Sequence, residues 1–527
     1  ARLMQRGDDS PWRRLAPLAA YTAHTLLWYW RLWTPIDGAA ATFRYDPVHE
    51  YWADLIYQVD TLRDGFLAMW NPHDRGGFPV YGDPQPGLLY PGNWPLWLWG
   101  LVSGETGYSL MELKVVGHWI LGLVGMHYFL RRRRLPEAAC SLGAILFGFT
   151  EPAIRYGGNA LNWSYAWLPW LLLATDYFAD RPDLKRAVLV GTTLAMTLLA
   201  GAPAVLLYAI VIAMPFGVYR LWGRLRKSAA SISFAALVFV LWTIPLLLGN
   251  LEQMPHSVRD VRDLHFITFS TFAPTQLSYV VLPRLGLYYG ALALFCMAVW
   301  MATARGLAVV VVGTFAAGIA LALGHHAEFL GATASAVPPF TLFRRAHRYL
   351  YIASVALSFA AAAGFGVILR AEGERAKQIA RWISVVLGGG AAIIGIGLVA
   401  GLATSKDLVS PRNDSFALAA ASALVAAFLV HGIVRTRGRA RQVWTWLTVV
   451  FVAGDLWLAY ARIHGVGYGP KPEVAKDERV LQLQDVVDGS YRIYDRGEFQ
   501  YRPGVRLGIR DFGGYEDDPL GLARYRA

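Results

Sequence analysis

Cysteine is nearly absent. The 527 residues contain two, Cys140 and Cys296, both in apolar stretches, which excludes a disulfide framework and a cysteine-built metal site. Charge is scarce as well, at 16% of the chain, where soluble proteins carry about a quarter. With 55% hydrophobic residues and a mean hydropathy of +0.35, the composition is that of a membrane protein. Nucleotide-binding signatures are missing: there is no P-loop and no Gly-x-Gly-x-x-Gly between a strand and a helix. The glycine-rich run at 465–469 precedes no helical pattern and reads as a loop. The long first apolar run lacks a small-residue cleavage site, so no cleavable signal peptide is expected.

What the chain has instead is apolar runs of bilayer length. They predict an all-α polytopic protein with about thirteen crossings, near 15–36, 108–130, 138–152, 160–178, 186–201, 203–222, 229–249, 286–303, 306–323, 347–369, 382–403, 415–434 and 443–461. The net charge of +12 falls in short loops: Arg131–Arg134, Arg181–Arg186, Arg224–Lys227, Arg370–Arg381 and Arg435–Arg441. That is the positive-inside pattern rather than a nucleic-acid patch. A cytoplasmic N-terminus (1–14) puts every one of these loops inside. The same threading of the 15–461 domain puts the first loop (37–107), the 250–285 loop, the 324–346 loop and the segment 462–527 outside. After Arg462 the composition turns soluble, with strand-like runs at 491–495 and 505–510 and a turn at 513–519. It reads as the start of an extracytoplasmic α+β domain.

Chemistry therefore belongs outside, where the acids, histidines and prolines lie. The stretch from Asp46 to Pro95 is far longer than a helix connection requires, and long loops carry function. It holds His49 and His73 beside Trp52, Trp70, Trp94 and Trp97, which suit a membrane–water boundary. Val48, Tyr51, Trp52, Leu55, Val59, Leu62 and Phe66 recur at helical spacing and predict an amphipathic helix lying in the interface. Asp46 followed by Pro47 has the form of an N-cap and first helical residue. The same carboxylate, at the mouth of the membrane, suits a general base or a metal ligand. Glu151, near the outer end of its span, is a second candidate acid, with pairing to Arg155 as the alternative. His256, Arg259, Arg262 and His265 read as solvated loop polarity, with contact to a phosphate or sugar as the alternative. His325–His326 with Glu328 makes a poor metal pattern. Asp455 in the last span is expected to cap or pair inside the bundle.

Several segments resemble the YfhO-type bacterial membrane proteins of the GT-C glycosyltransferase superfamily. In the first loop these are Asp46, Gly65, Met-Trp-Asn-Pro at 69–72, Gly-Gly-Phe-Pro-Val at 76–80 and Asp-Pro-Gln-Pro-Gly-Leu-Leu-Tyr-Pro at 83–91. Ala-Trp-Leu-Pro-Trp at 166–170 is similar to the tryptophan–proline span. Pro-Phe-Thr-Leu-Phe-Arg-Arg-Ala-His-Arg at 339–348, leading into the small-residue run 361–366, is similar to the arginine motif. Residues 509–519 with Arg524 and Tyr525 are similar to the C-terminal Gly-Tyr motif.

The resemblance implies a GT-C-like fold in a bacterial inner membrane. It also implies inverting transfer of a sugar from a polyprenyl-phosphate donor on the outer face, with Asp46 as base. Arg344, Arg345 and Arg348, with His347 among them, would hold the donor phosphate, a use that suits guanidinium forks. His49, Glu50, Tyr51, Trp52 and Trp70 would form the sugar or lipid platform. No cofactor is assigned, and a divalent cation is left open. The chain departs from the pattern at Glu50 (commonly Gln), Ala53 (commonly Pro), and Ala202 and Ala204 (commonly His and Gln). That departure gives the alternative: a non-catalytic subunit of a larger membrane complex. A transporter would show inverted repeats, and no convincing repeat is found.

Overall fold

Backbone buried in lipid must satisfy its own hydrogen bonds, and most of the described residues in the thirteen expected stretches are helical. A computed structural model describes residues 11–35, 40–43, 46–74, 76–155, 157–253, 270–283, 288–327, 345–404, 411–460 and 466–469, with positions 333, 337, 340, 343, 502, 505–506 and 508–510. Its helices are α1 (Pro11–Trp28), α2 (Trp52–Arg63), α3 (Trp94–Ser103), α4 (Tyr108–Arg132), α5 (Glu137–Phe149), α6 (Glu151–Arg155), α7 (Ala160–Tyr165), α8 (Leu168–Asp180), α9 (Leu184–Leu199), α10 (Pro203–Leu221) and α11 (Leu225–Gln253). They continue with α12 (Ala291–Thr303), α13 (Leu307–Ala322), α14 (Leu350–Leu369), α15 (Gly373–Ile383), α16 (Gly389–Thr404), α17 (Pro411–Arg435) and α18 (Gly438–Tyr460). Among the described residues seven helices are long and apolar enough to cross a bilayer, and three shorter apolar ones accompany them. The chain is a multi-pass membrane protein.

Two expected spans are interrupted. The 138–152 run ends at Phe149, because Thr150 is extended and Glu151 and Pro152 open α6. The 160–178 run divides into α7 and α8, with Pro169 in the first turn of α8, where its missing N–H is harmless. The small-residue run of α14 lets backbones touch: a Cβ at Gly364 would collide with the Cys296 carbonyl of α12.

Polar interactions mark two ends of the bundle. At one, Asp176 of α8 is buried against Arg133 (2.9 Å), Arg220 (2.8 Å) and Arg132 (3.4 Å), joining the ends of α4, α8 and α10. At the other, the first loop covers the helices. The end of α11 holds it through Gln253 to the Pro79 carbonyl (3.0 Å) and Glu252 to the Tyr81 hydroxyl (2.7 Å). Strand β1 (Ala40–Phe43) pairs antiparallel with β4 (Val466–Gly469), so the glycine run read as a loop is a strand. Strands β2 (Trp70–Asn71) and β3 (Phe78–Pro79) form a second small pair. Of the expected strand at 505–510, Val505 and Arg506 are helical and Gly508 has φ +71°. The rest of the expected C-terminal domain, including 491–495 and 511–527, lies outside the described residues, as do His256, Arg259, Arg262, His265 and Glu328.

Candidate active site

Asp46 stands at the N-cap position, with Pro47 at the first helical position, but its side chain does not cap. Its own backbone is helical (φ −47°, ψ −40°), and its side chain makes no capping bond to the π-helical turn Pro47–Tyr51 that follows. One carboxylate oxygen instead accepts from the side-chain amide of Asn159. The Asn159 carbonyl oxygen accepts from Leu161 N at 3.0 Å and so caps α7. One asparagine thus fixes the acid and the start of a helix together.

Gly158 permits this approach. A Cβ there would lie 2.5 Å from Pro47 Cγ and 3.2 Å from Phe43 Cβ. Gly158→Ala is expected to force Asn159 off Asp46 and to cost about 1–3 kcal/mol, read as a lowered unfolding temperature. An unchanged temperature would show that the contact yields without strain.

The predicted interfacial helix forms, but enclosed. Trp52, Ala53 and Val59 are fully buried, and so are the polar Asp54 and Gln58 on the side expected to face water. The second half of the loop folds over it: Gln58 donates to the Pro86 carbonyl (3.0 Å), Trp97 donates to Gln58 (2.9 Å), and Trp52 donates to the Thr106 carbonyl (2.9 Å). Apolar surface is exposed elsewhere on the loop, at Phe66 and Trp70 and on α3 at Trp94, Leu98, Trp99 and Val102. Trp52 is therefore a packing residue beneath the loop, whereas Trp70 stands at its surface.

Beside Asp46, Glu50 and Tyr51 share one partner. Gln85 donates to Glu50 Oε1 at 2.9 Å, and the Tyr51 hydroxyl donates to Gln85 Oε1 at 3.3 Å. Tyr51 packs edge-on against Trp163 with ring centroids 4.9 Å apart. Burial pushes the Tyr51 hydroxyl well up, and the charges of Asp46 and Glu50 push it further. The Arg348 guanidinium opposes them, so Asp46 and Arg348 both act on this one phenol. Burial also lowers the His49 imidazole against the raising effect of Asp46.

Burial, then the charges of Asp54, Asp46 and Asp83, push the Glu50 carboxyl well above the ordinary carboxylate range, with Arg502 opposing. A carboxyl raised on folding contributes stability that is fully present below its unfolded pKa and is lost as pH rises through the folded one. Glu50→Gln is expected to remove that loss. Its unfolding temperature should fall less than that of the wild type between about pH 5 and about pH 8. Identical slopes would show Glu50 ionised in the fold.

Of the arginine motif, Arg344 lies outside the described residues. Arg345 takes a left-handed conformation (φ +71°, ψ 73°) at the start of the turn Ala346–Tyr349, a strained geometry for a side chain of this size. His347 Nδ1 donates to the Ser270 carbonyl at 2.7 Å, which ties this turn to the preceding loop. The charges of Arg348, Arg155 and Arg345 all bear on the His347 ring, so these cations converge. The side chain of Glu151 lies outside the described residues. Among the described residues no group of three or more His, Cys, Asp or Glu is placed to hold a metal ion.

Several site residues were missed in the sequence. Arg502 reaches from the C-terminal segment into the first loop, with Nη1 3.1 Å from Asp54 and Nη2 2.6 Å from Asp74, all three side chains at 8% exposure or less. Arg506 lies over the Trp52 ring at 5.5 Å. A lone arginine in an aperiodic stretch gives no signal of its partner. Trp163, which supports Tyr51, had no marker beyond its place in an apolar run.

This architecture, a helical membrane bundle capped by a long first loop, is a GT-C-like fold. The arabinofuranosyltransferase AftD from mycobacteria matches with a TM-score of 0.54 at 14% identity, over 96% of this chain and 32% of AftD. The chain thus spans about a third of AftD's length. ArnT from Cupriavidus metallidurans, bound to undecaprenyl phosphate, matches with a TM-score of 0.43 at 13% identity, over 96% of this chain and 87% of ArnT. The apo form of ArnT gives 0.46 at the same identity and coverage. No family model and no curated protein matches the sequence.

Proposed function

We propose that this chain is a YfhO-type glycosyltransferase that moves a sugar from a polyprenyl-phosphate donor to an acceptor hydroxyl on the extracytoplasmic face of a bacterial inner membrane. The observation that carries the reading is that Asp46, held by Asn159, opens the turn bearing the buried Tyr51, and that the charge of Arg348 from the arginine motif reaches the same hydroxyl. These groups come from segments roughly three hundred residues apart in sequence, and a base and a phosphate clamp can serve one donor only if they share a site. In this reading Asp46 takes the proton of the acceptor hydroxyl. The acceptor oxygen then attacks the anomeric carbon, and the bond from that carbon to the phosphate oxygen breaks. Polyprenyl phosphate leaves with the electron pair, its charge held by Arg348 and Arg345. The basic end around Arg132, Arg133 and Arg220 is assigned to the cytoplasm, which puts the first loop outside. The AftD-like fold supports a glycosyl-transfer activity and leaves the sugar open.

The test is turnover in nanodiscs with a panel of polyprenyl-phosphate sugars, following release of polyprenyl phosphate. At least one donor is expected to be consumed. A second reading, the non-catalytic subunit, is favoured by Ala202 and Ala204, which are buried and apolar beside Gly201, whose Cβ position is 3.2 Å from the Gln85 carbonyl. Failure on every donor, together with isolation only in a stoichiometric complex, would favour it.

A further inference from the structure

Lys114 lies six residues into α4, about 9 Å along the helix from its start, and is 6% exposed. A lone ammonium inside a membrane helix is costly and is normally paired. Among the described residues its Nζ makes no salt bridge and no hydrogen bond; it rests on the face of Trp163, 3.6 Å from the ring centroid. The carboxylate whose field reaches it, Asp54, is already engaged by Arg502 at 3.1 Å.

His118, one turn further on, is also committed. Its Nδ1 donates to the Lys114 carbonyl (2.6 Å) and its Nε2 pairs with the Tyr90 hydroxyl (2.7 Å). Trp163 itself is fully buried, and its Nε1 has no hydrogen-bond partner among the described residues. The amine of a buried lysine and the N–H of a buried indole therefore lie side by side with no acceptor among the described residues, and buried donors of this kind demand one. Trp163 also packs edge-on against Tyr51, whose hydroxyl the charges of Asp46 and Arg348 reach.

We propose that Lys114 and the Trp163 indole N–H form a binding site for a phosphate group, each meeting a different oxygen of it, and that Lys114 is thereby a further donor-binding residue of the Asp46–Tyr51–Arg348 site. The inference rests on the reading of that site as a polyprenyl-phosphate-dependent transferase. The chemistry recognised is an anionic phosphate group. A position about 9 Å into a membrane helix favours phosphate carried on a lipid over free phosphate.

The experiment measures binding of undecaprenyl phosphate and of undecaprenol to the full chain in nanodiscs by native mass spectrometry, with inorganic phosphate as competitor. The wild type is expected to prefer the phosphate. Lys114→Met should lower that preference at least tenfold, Lys114→Arg should retain part of it, and Trp163→Phe, which keeps a ring and removes the N–H, should lower it less. If Lys114→Met does not fold, Lys114→Arg and Trp163→Phe carry the comparison, with unfolding temperature measured alongside. A preference left intact by Lys114→Met and Trp163→Phe overturns the site while the functional reading stands. With Lys114→Met unfolded, a preference left intact by both Lys114→Arg and Trp163→Phe does the same. A wild type with no preference for phosphate defeats the functional reading itself. Displacement of the lipid by inorganic phosphate, dependent on Lys114, would overturn the lipid-borne source.

Discussion

Asp46→Asn is expected to cut sugar transfer by about a hundredfold to ten-thousandfold, the range of a positioned general base, with the unfolding temperature nearly unchanged. The amide is nearly isosteric with the carboxylate, and its oxygen still accepts from the Asn159 amide that holds Asp46. What it loses is the ability to take a proton at neutral pH. Donor binding should persist, because Arg348 and Tyr51 are untouched, so kcat should fall far more than KM rises. Initial-rate kinetics on the donor found in the turnover panel separate the two. Wild-type turnover by this variant would remove Asp46 from the chemistry.

The second large effect is on stability. Arg502→Met should destabilise the first loop by about 3–5 kcal/mol, because it leaves the buried carboxylates of Asp54 and Asp74 without the guanidinium that lies between them. The Coulombic gain of the pair is not the source of this figure. The cost comes from stranding charge in a dry site, so removing the carboxylates as well should recover most of the loss. Asp54→Asn and Asp74→Asn combined with Arg502→Met are therefore expected to unfold closer to the wild type than Arg502→Met alone. Unfolding temperature and proteolysis of the first loop check this. A single variant as stable as the wild type would show these carboxylates to be hydrated or protonated.

Much of the fold was legible because hydropathy reports the solvent of each segment. Apolar runs of bilayer length have few alternatives to helix, and most of their described residues are helical. Interruptions such as Thr150 between α5 and α6 were not legible, since hydropathy continues across them. The helix after Asp46 was readable from its spacing, but periodicity cannot report that residues 83–97 cover its polar side, which made an enclosed helix look interfacial. The same blindness hid Asp46's partner: Asp-Pro is a common cap, and only tertiary packing brings Asn159 to the carboxylate. Arg502 and Lys114 were missed for one reason. A single cation in the wrong neighbourhood has meaning only once its neighbours are known. The arginine motif carried more information, because three guanidinium groups beside an apolar span oppose the charge rule of the loops around them.

The central claim is that Asp46, Tyr51 and Arg348 line one donor site. It is tested most directly by an electron cryo-microscopy map of the protein in nanodiscs with undecaprenyl phosphate. The account predicts phosphate density within hydrogen-bonding distance of the Arg348 guanidinium, beside Tyr51, with the lipid chain running into the bilayer. Phosphate density bound elsewhere on the bundle, with the space beside Tyr51 filled by protein side chains, would contradict it.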